Sequence, residues 1–242
     1  MRNEAAPGAI KVLAFDVFGT VVDWRGGLAR AATEAFGAIG RNDIDPFRFA
    51  EDWHHQSQPK MDECRQGARP YVQLDTIHRE VLLTLLDGVG VGAADLPDAG
   101  ERLAAAWRRL DPWPDVLPAL ARLRERHPLV TLSNGNIALT MEMARFARLP
   151  WDAILGAEVA RVYKPLPDAY RNALDILRID PPELCMVAAH EGDLVAAANL
   201  GITTAYIDRP TEFGDRSAVA LAGKRWDFVC RDYADFCDQV NR

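Results

Sequence analysis

The sequence has little of several things, and each shortage excludes something. It holds four cysteines in 242 residues, Cys64, Cys185, Cys230 and Cys237, with no CxxC spacing. That excludes a disulfide framework and a thiolate zinc site, and predicts reduced thiols. It lacks positive charge: 28 Lys and Arg stand against 35 Asp and Glu, a formal net charge of −7. A nucleic-acid partner would call for a basic face. No apolar run reaches the length that spans a bilayer. The start, Met1-Arg2-Asn3-Glu4, lacks the apolar stretch of a secretion signal. Together these features predict a cytoplasmic protein with neither nucleic acid nor membrane as partner.

What the chain does have is the content of a globular domain. It is 49% hydrophobic and 26% charged, and long enough to bury a large core. Apolar runs at Val12–Val17, Leu129–Ser133, Ala153–Leu155, Leu184–Ala189, Thr203–Ile207 and Trp226–Cys230 read as strands buried on both faces. Helical patterns lie between them, at about Asp115–Arg126, Ile137–Ala147, Asp168–Leu177 and Leu194–Leu200. Such alternation predicts a Rossmann-like α/β core, a parallel sheet with helices on both faces.

From Trp24 to Leu110 the alternation stops. Four helices are expected there instead, at Leu28–Ile39, Pro46–Gln56, Tyr71–Leu86 and Pro97–Arg109, the third marked by Leu74, Ile77, Val81 and Leu85 on one stripe. The predicted organisation is a core of residues 1–22 and 111–242 with a helical cap at 23–110. The cap would sit over the carboxyl ends of the strands and exclude water there.

Polar residues collect at those strand ends, where open α/β sheets hold their ligands. Asp16 and Thr20 follow the first strand, and Ser133-Asn134 end the second. Lys164-Pro165 precedes a helix. His190-Glu191-Gly192-Asp193 follows the fourth strand. A carboxylate nucleophile, hydroxyl and amide donors, a cation and a second acid would converge in one crevice. Taken singly, each has a plainer reading: Asp16 as a turn acid, Lys164 as a solvated loop lysine, Asp193 as a helix N-cap, Ser133 and Asn134 as turn formers.

In order and spacing these motifs resemble the haloacid dehalogenase-like hydrolases, and the resemblance spans nearly the whole chain. Phe18, two residues after Asp16, and Tyr170, six after Lys164, are similar to the 2-haloacid dehalogenase branch rather than the phosphatase branch, which carries an acid at the position of Phe18. A phosphatase must protonate a departing alkoxide, whereas a halide leaves unprotonated. The resemblance implies a type II (S)-2-haloacid dehalogenase without metal or organic cofactor, acting on a small halogenated carboxylic acid. Asp16 would displace the halide and form an ester that water hydrolyses.

The resemblance also implies a role for each residue. Lys164 would keep Asp16 ionised. Asp193 would position Lys164 or the hydrolytic water. Thr20, Ser133 and Asn134 would bond Asp16 or the substrate carboxylate, with backbone N–H groups near Phe18. His190 would line the pocket. From the residues themselves, Trp24, Trp53, Trp107 and Trp113 are expected to fill the cap–core interface, with Trp24 or Trp53 also walling the pocket.

Two departures from the branch stand out. Its members place an Arg on a cap helix just after a Trp, to grip the halide. Here Trp53 is followed by His54-His55-Gln56. A protonated His54 or His55, or else Arg25, Arg65 or Arg69, would have to replace it. The branch's Ser and Asn of the fourth motif are Ala188 and His190 here. A magnesium-dependent phosphatase of the same superfamily and a non-catalytic ligand-binding relative are the alternatives. The cap's apolar helices, together with the resemblance, suggest a homodimer surface. Arg108-Arg109 reads as a solvated helix end and Arg209–Gly214 as a polar loop.

Overall fold

The computed structural model describes residues 10–92, 95–214 and 225–241. The start Met1-Arg2-Asn3-Glu4, expected to lack a secretion signal, lies outside the described residues. The chain runs β1 (Val12–Phe15), α1 (Trp24–Ala38), α2 (Pro46–Arg65), α3 (Leu74–Gly88), α4 (Pro97–Ala104), α5 (Val116–Leu123), β2 (Leu129–Ser133) and α6 (Ile137–Ala147). It continues β3 (Ala153–Gly156), α7 (Ala157–Ala160), α8 (Pro167–Leu177), β4 (Leu184–Ala188), α9 (Glu191–Ala198), β5 (Thr203–Ile207), β6 (Phe228–Cys230) and α10 (Tyr233–Val240).

Among the described residues all six strands pair in parallel, in the order β3-β2-β1-β4-β5-β6. Every residue of β1, β2, β4 and β5 is buried, as expected of a parallel sheet covered on both faces. Side chains alternate between the faces. Leu13, Phe15, Cys185 and Val187 join one apolar cluster, while Val12, Ala14, Met186 and Ala188 join another. The first cluster runs without a break into the cap through Trp24, Leu28, Trp53 and Ile77. Helices α1 to α4 form that cap between β1 and α5.

The strand order reverses between β1 and β4, and such a switch point opens a crevice at the strands' carboxyl ends. Asp16 leaves β1 at this crevice, its N–H donating to the Val187 carbonyl at 3.0 Å. Ala189 and His190 leave β4 beside it.

Several features differ from the sequence reading, among them α7, which was not expected. Helix α2 runs on to Arg65, past the expected end at Gln56 and through Pro59. Its buried face continues through Ser57 and Met61, and that packing outweighs the backbone bond lost at proline. Helix α10 has no counterpart among the expected helices; it caps with Asp232 and buries Tyr233, Phe236, Cys237 and Val240 against the sheet. Arg108 is not a solvated helix end. It pairs with Asp75 of α3 at 2.7 Å and Glu142 of α6 at 2.8 Å, and so ties cap to core.

The tight pairing of β2 with β3 makes one fold-level demand. Gly156 has φ of +139° and faces Ser133, and a Cβ there would lie 2.1 Å from the Ser133 carbonyl oxygen. Gly156→Ala should destabilise the protein by about 3 kcal/mol, read as a lower urea midpoint. An unchanged midpoint would refute this account of the strand pair.

Candidate active site

Asp16 is only 7% exposed and each of its oxygens has a donor. Oδ2 accepts from the Thr20 hydroxyl at 2.7 Å, and Oδ1 from the Lys164 ammonium at 3.0 Å. The Thr20 hydroxyl also accepts the Ala189 N–H at 3.0 Å, lacing the loop after β1 to the loop after β4. Lys164 is 4% exposed and its backbone N–H donates to Asn134 Oδ1 at 2.8 Å. The ammonium bridges to Asp193, whose other oxygen accepts the Tyr170 hydroxyl.

His190 completes the set. Its Nδ1 lies 3.1 Å from Asp16 Oδ2, and its Nε2 lies 3.0 and 3.1 Å from the two oxygens of Glu212. Glu212 is 4% exposed and accepts the Trp24 indole N–H at 3.0 Å. It rests over Gly19, where a Cβ would come within 2.0 Å of its Oε1. That space, and a φ of +79°, require glycine in the turn after the nucleophile.

The charges are set by these contacts. Burial alone would raise the Asp16 carboxyl, but Lys164 and His190 outweigh it and hold the group well below the usual carboxylate range. Burial would lower Lys164, while Asp16 and Asp193 raise it, so it stays charged. Burial would likewise lower His190, but its bonds to Asp16 and Glu212 lift it well above an ordinary histidine. Burial raises Asp193, with the Asp16 charge adding to that and Lys164 opposing it.

Over this floor lies a cavity of about 330 Å³, of the size that takes a small organic acid. Asp16, Asn134, Lys164 and His190 supply its polar side, and Phe18, Met61, Leu74 and Trp107 its apolar side. The Phe18 ring stands edge-on to Trp107 at 5.5 Å. Several expected site residues are not on this wall. Trp53 is fully buried behind it, its indole N–H donating to the His78 carbonyl. His55 is exposed on the other side of α2, as the turn of a helix requires for neighbours. Ser133 shapes the following turn by accepting the Gly135 N–H. Tyr170 and Thr20 act from behind, on Asp193 and Asp16.

His54 does reach the wall, stacked 4.3 Å from Trp24, but not as a cation. Burial pushes its pKa down to about 4, with Glu212 too weak to offset it. Arg25 and Arg69 are taken up by Glu51 and Glu80. Arg65 is paired as well, its Nη1 with Asp62 at 2.7 Å, but it lines the cavity, and its Nε donates to the Lys164 carbonyl at 2.7 Å.

The Lys164 ammonium lies between Asp16 and Asp193 and bonds both. Among the described residues no group of three or more His, Cys, Asp or Glu is arranged to hold a metal ion. Among them, too, no helix is long and apolar enough to cross a membrane.

The family profile of the haloacid dehalogenase-like hydrolases matches residues 10–201. The chain belongs to that family. An (S)-2-haloacid dehalogenase of Xanthobacter autotrophicus is 29% identical over 204 residues, covering 83% of this chain and 76% of that one. Among solved structures, the defluorinating L-2-haloacid dehalogenase Rha0230 is 40% identical with a TM-score of 0.90, covering 96% of both chains. The L-2-haloacid dehalogenase PA0810 is 38% identical with a TM-score of 0.89, covering 96% of this chain and 99% of its own.

Glu212 is the site residue that sequence reasoning missed. It sits in the loop read as merely polar, 188 residues from the indole that bonds it.

The burial of His54 has a consequence for acid stability. Its folded pKa of about 4 lies below the unfolded value of 6.5, so the unfolded chain binds the proton first. The resulting penalty is absent at pH 8 and grows as pH falls, to about 2 kcal/mol at pH 5. His54→Phe, which keeps the stack on Trp24, should lose that much less stability than the wild type between pH 8 and 5, measured by urea denaturation. Parallel losses would refute a buried neutral His54.

Proposed function

We infer that this protein hydrolyses the carbon–halogen bond of small (S)-2-haloacids, giving the 2-hydroxy acid through an ester on Asp16. The observation that carries the reading is the ionised Asp16 on the floor of a largely apolar cavity, with a cation beside it and no acid two residues on. That set suits displacement of a leaving group that needs no proton. The relatives of 38% and 40% identity carry the same activity in their names.

A carboxylate oxygen of Asp16 attacks the carbon bearing the halogen. The new C–O bond forms as the C–X bond breaks, and the halide leaves with the electron pair. The apolar walls keep water from the attacking carboxylate. Lys164 holds the nucleophile in line, and Asp193 and Tyr170 hold Lys164. Asn134 has its carbonyl turned to the Lys164 N–H, so its Nδ2 amide is the end that donates to the substrate carboxylate or the halide. Arg65, the cap arginine on the wall, supplies the cation that the residues after Trp53 do not. Thr20 serves Asp16 rather than substrate.

The same reading takes the site to work without metal or organic cofactor. It places the enzyme in the cytoplasm, in keeping with four free cysteines. It also takes a second copy of the chain as the partner, against the exposed Ile137, Met141 and Phe146 of α6.

The test is halide release from racemic 2-chloropropionate by EDTA-treated protein. Release should stop when half the halide is free. Asp16→Asn should be slower by at least about a thousandfold. Equal rates for the two proteins would remove the reading, and consumption of the whole racemate would remove its stereochemistry.

A further inference from the structure

We propose that His190, oriented by Glu212, is the base that hydrolyses the Asp16 ester. The proposal rests on the dehalogenase reading, because it needs the ester to form.

The geometry singles out His190. Water must attack the carboxyl carbon of Asp16, and the His190 Nδ1 sits 3.1 Å from an oxygen on that carbon. The other side-chain candidate, Asp193, has both oxygens committed, one to Lys164 and one to Tyr170. Thr20 has donated its hydroxyl to Asp16 and accepted the Ala189 N–H. His190 also lines the cavity through which water enters. Behind it, Glu212 takes the opposite ring nitrogen, an arrangement that fixes the Nε2–H tautomer and turns Nδ1 toward Asp16. Glu212 reaches this buried place only because Gly19 leaves room and the Trp24 indole satisfies it.

The two half-reactions ask opposite things of this histidine, and the ester supplies the switch. In the resting site His190 lies between two carboxylates and stays protonated, an imidazolium donating to Asp16. Ester formation removes the negative charge of Asp16, and with it one of the two partners that hold the proton. His190 then releases the proton to solvent, and its Nδ1 lone pair faces the ester.

Water adds to the carboxyl carbon while Nδ1 takes a proton from it. The tetrahedral adduct collapses, breaking the bond from that carbon to the substrate oxygen, and the departing alkoxide recovers the proton. The regenerated Asp16 carboxylic acid ionises and returns its own proton to Nδ1. The resting ion pair is restored. The sum is one haloacid and one water giving one hydroxy acid, one halide ion and one proton.

The charged and titratable groups around the ring belong to different elements. Asp16 follows β1 and Glu212 lies in the loop after β5. Lys164 and Asp193 stand beyond Asp16. His54 comes from cap helix α2, and burial keeps it neutral at the pH of interest. Of these, only Asp16 changes charge when the ester forms.

The experiment is rapid mixing of the intact protein with excess (S)-2-chloropropionate, following halide and intact-protein mass. His190→Gln should release one halide per site at close to the wild-type rate. It should then stall as the covalent adduct, with turnover slowed by about a hundredfold or more. Glu212→Gln should slow adduct hydrolysis less. It should also move the rising limb of the hydrolysis pH profile to lower pH, since it removes a negative charge from His190; a merely structural role would not shift that limb.

A His190→Gln protein that turns over at the wild-type rate overturns the proposal alone. So does an adduct that accumulates in Asp193→Asn but in neither His190→Gln nor Glu212→Gln. Wild-type protein that releases no halide overturns the underlying reading, and this proposal with it.

Discussion

The ammonium of Lys164, buried between Asp16 and Asp193, is the interaction on which the rest depends. Three charges at a strand end with almost no exposure to water would be untenable singly, because desolvation of an unpaired ion costs several kcal/mol. Together they are tolerable only if every polar atom around them is satisfied. The surrounding architecture answers that demand. Tyr170 donates to the free oxygen of Asp193. Thr20 and His190 donate to Asp16. Asn134 receives the Lys164 N–H, and Arg65 from the cap donates to the Lys164 carbonyl. The parallel sheet brings these loops together because each leaves a neighbouring strand end. The cap then closes the top without adding an acid.

Most of this was legible in the sequence for a simple reason. A strand buried on both faces has to be largely apolar, and Val12–Phe15, Leu129–Ser133 and Leu184–Ala188 announce themselves that way. The residues just past each of these runs then lie at the ligand edge by topology. Residues acting from one step behind were harder to read. Tyr170, expected among the substrate-binding residues because it matches the dehalogenase branch, instead bonds Asp193 through its hydroxyl. Trp53 shares the fate of most large aromatics and fills the cap core. Helix α2 was expected to end at Gln56, yet it runs on through Pro59 because its buried face continues.

Glu212 could not be read at all. A glutamate among Arg, Pro, Thr and Gly has the composition of a surface turn. Its burial depends on a hole left by Gly19 and on an indole N–H from Trp24, and neither signals across such a separation. The one local hint was His190 itself, an imidazole in a motif loop that needs a partner for its second nitrogen once the first is bonded to Asp16. His54 shows the converse error. A histidine beside a Trp on a cap helix invites a cationic role, but the stack that brings it to the cavity also removes the water its charge would need.

The same balance of charge explains the aromatic at position 18. The floor of the site already gathers three carboxylates, Asp16, Asp193 and Glu212, against two cations, Lys164 and His190, with the Arg65–Asp62 pair at the cap side, and an incoming haloacid adds a further carboxylate. An acid at position 18, next to the cavity and two residues from the nucleophile, would add a like charge to a low-dielectric pocket, where such repulsion is strongest. It would either repel the substrate or take up a proton and become neutral. A ring edge-on to Trp107 does neither. It keeps the carbon under attack in an apolar wall and leaves the cations to the nucleophile and the incoming anion. Phe18 is therefore a consequence of the electrostatics of the site as much as a lost general acid.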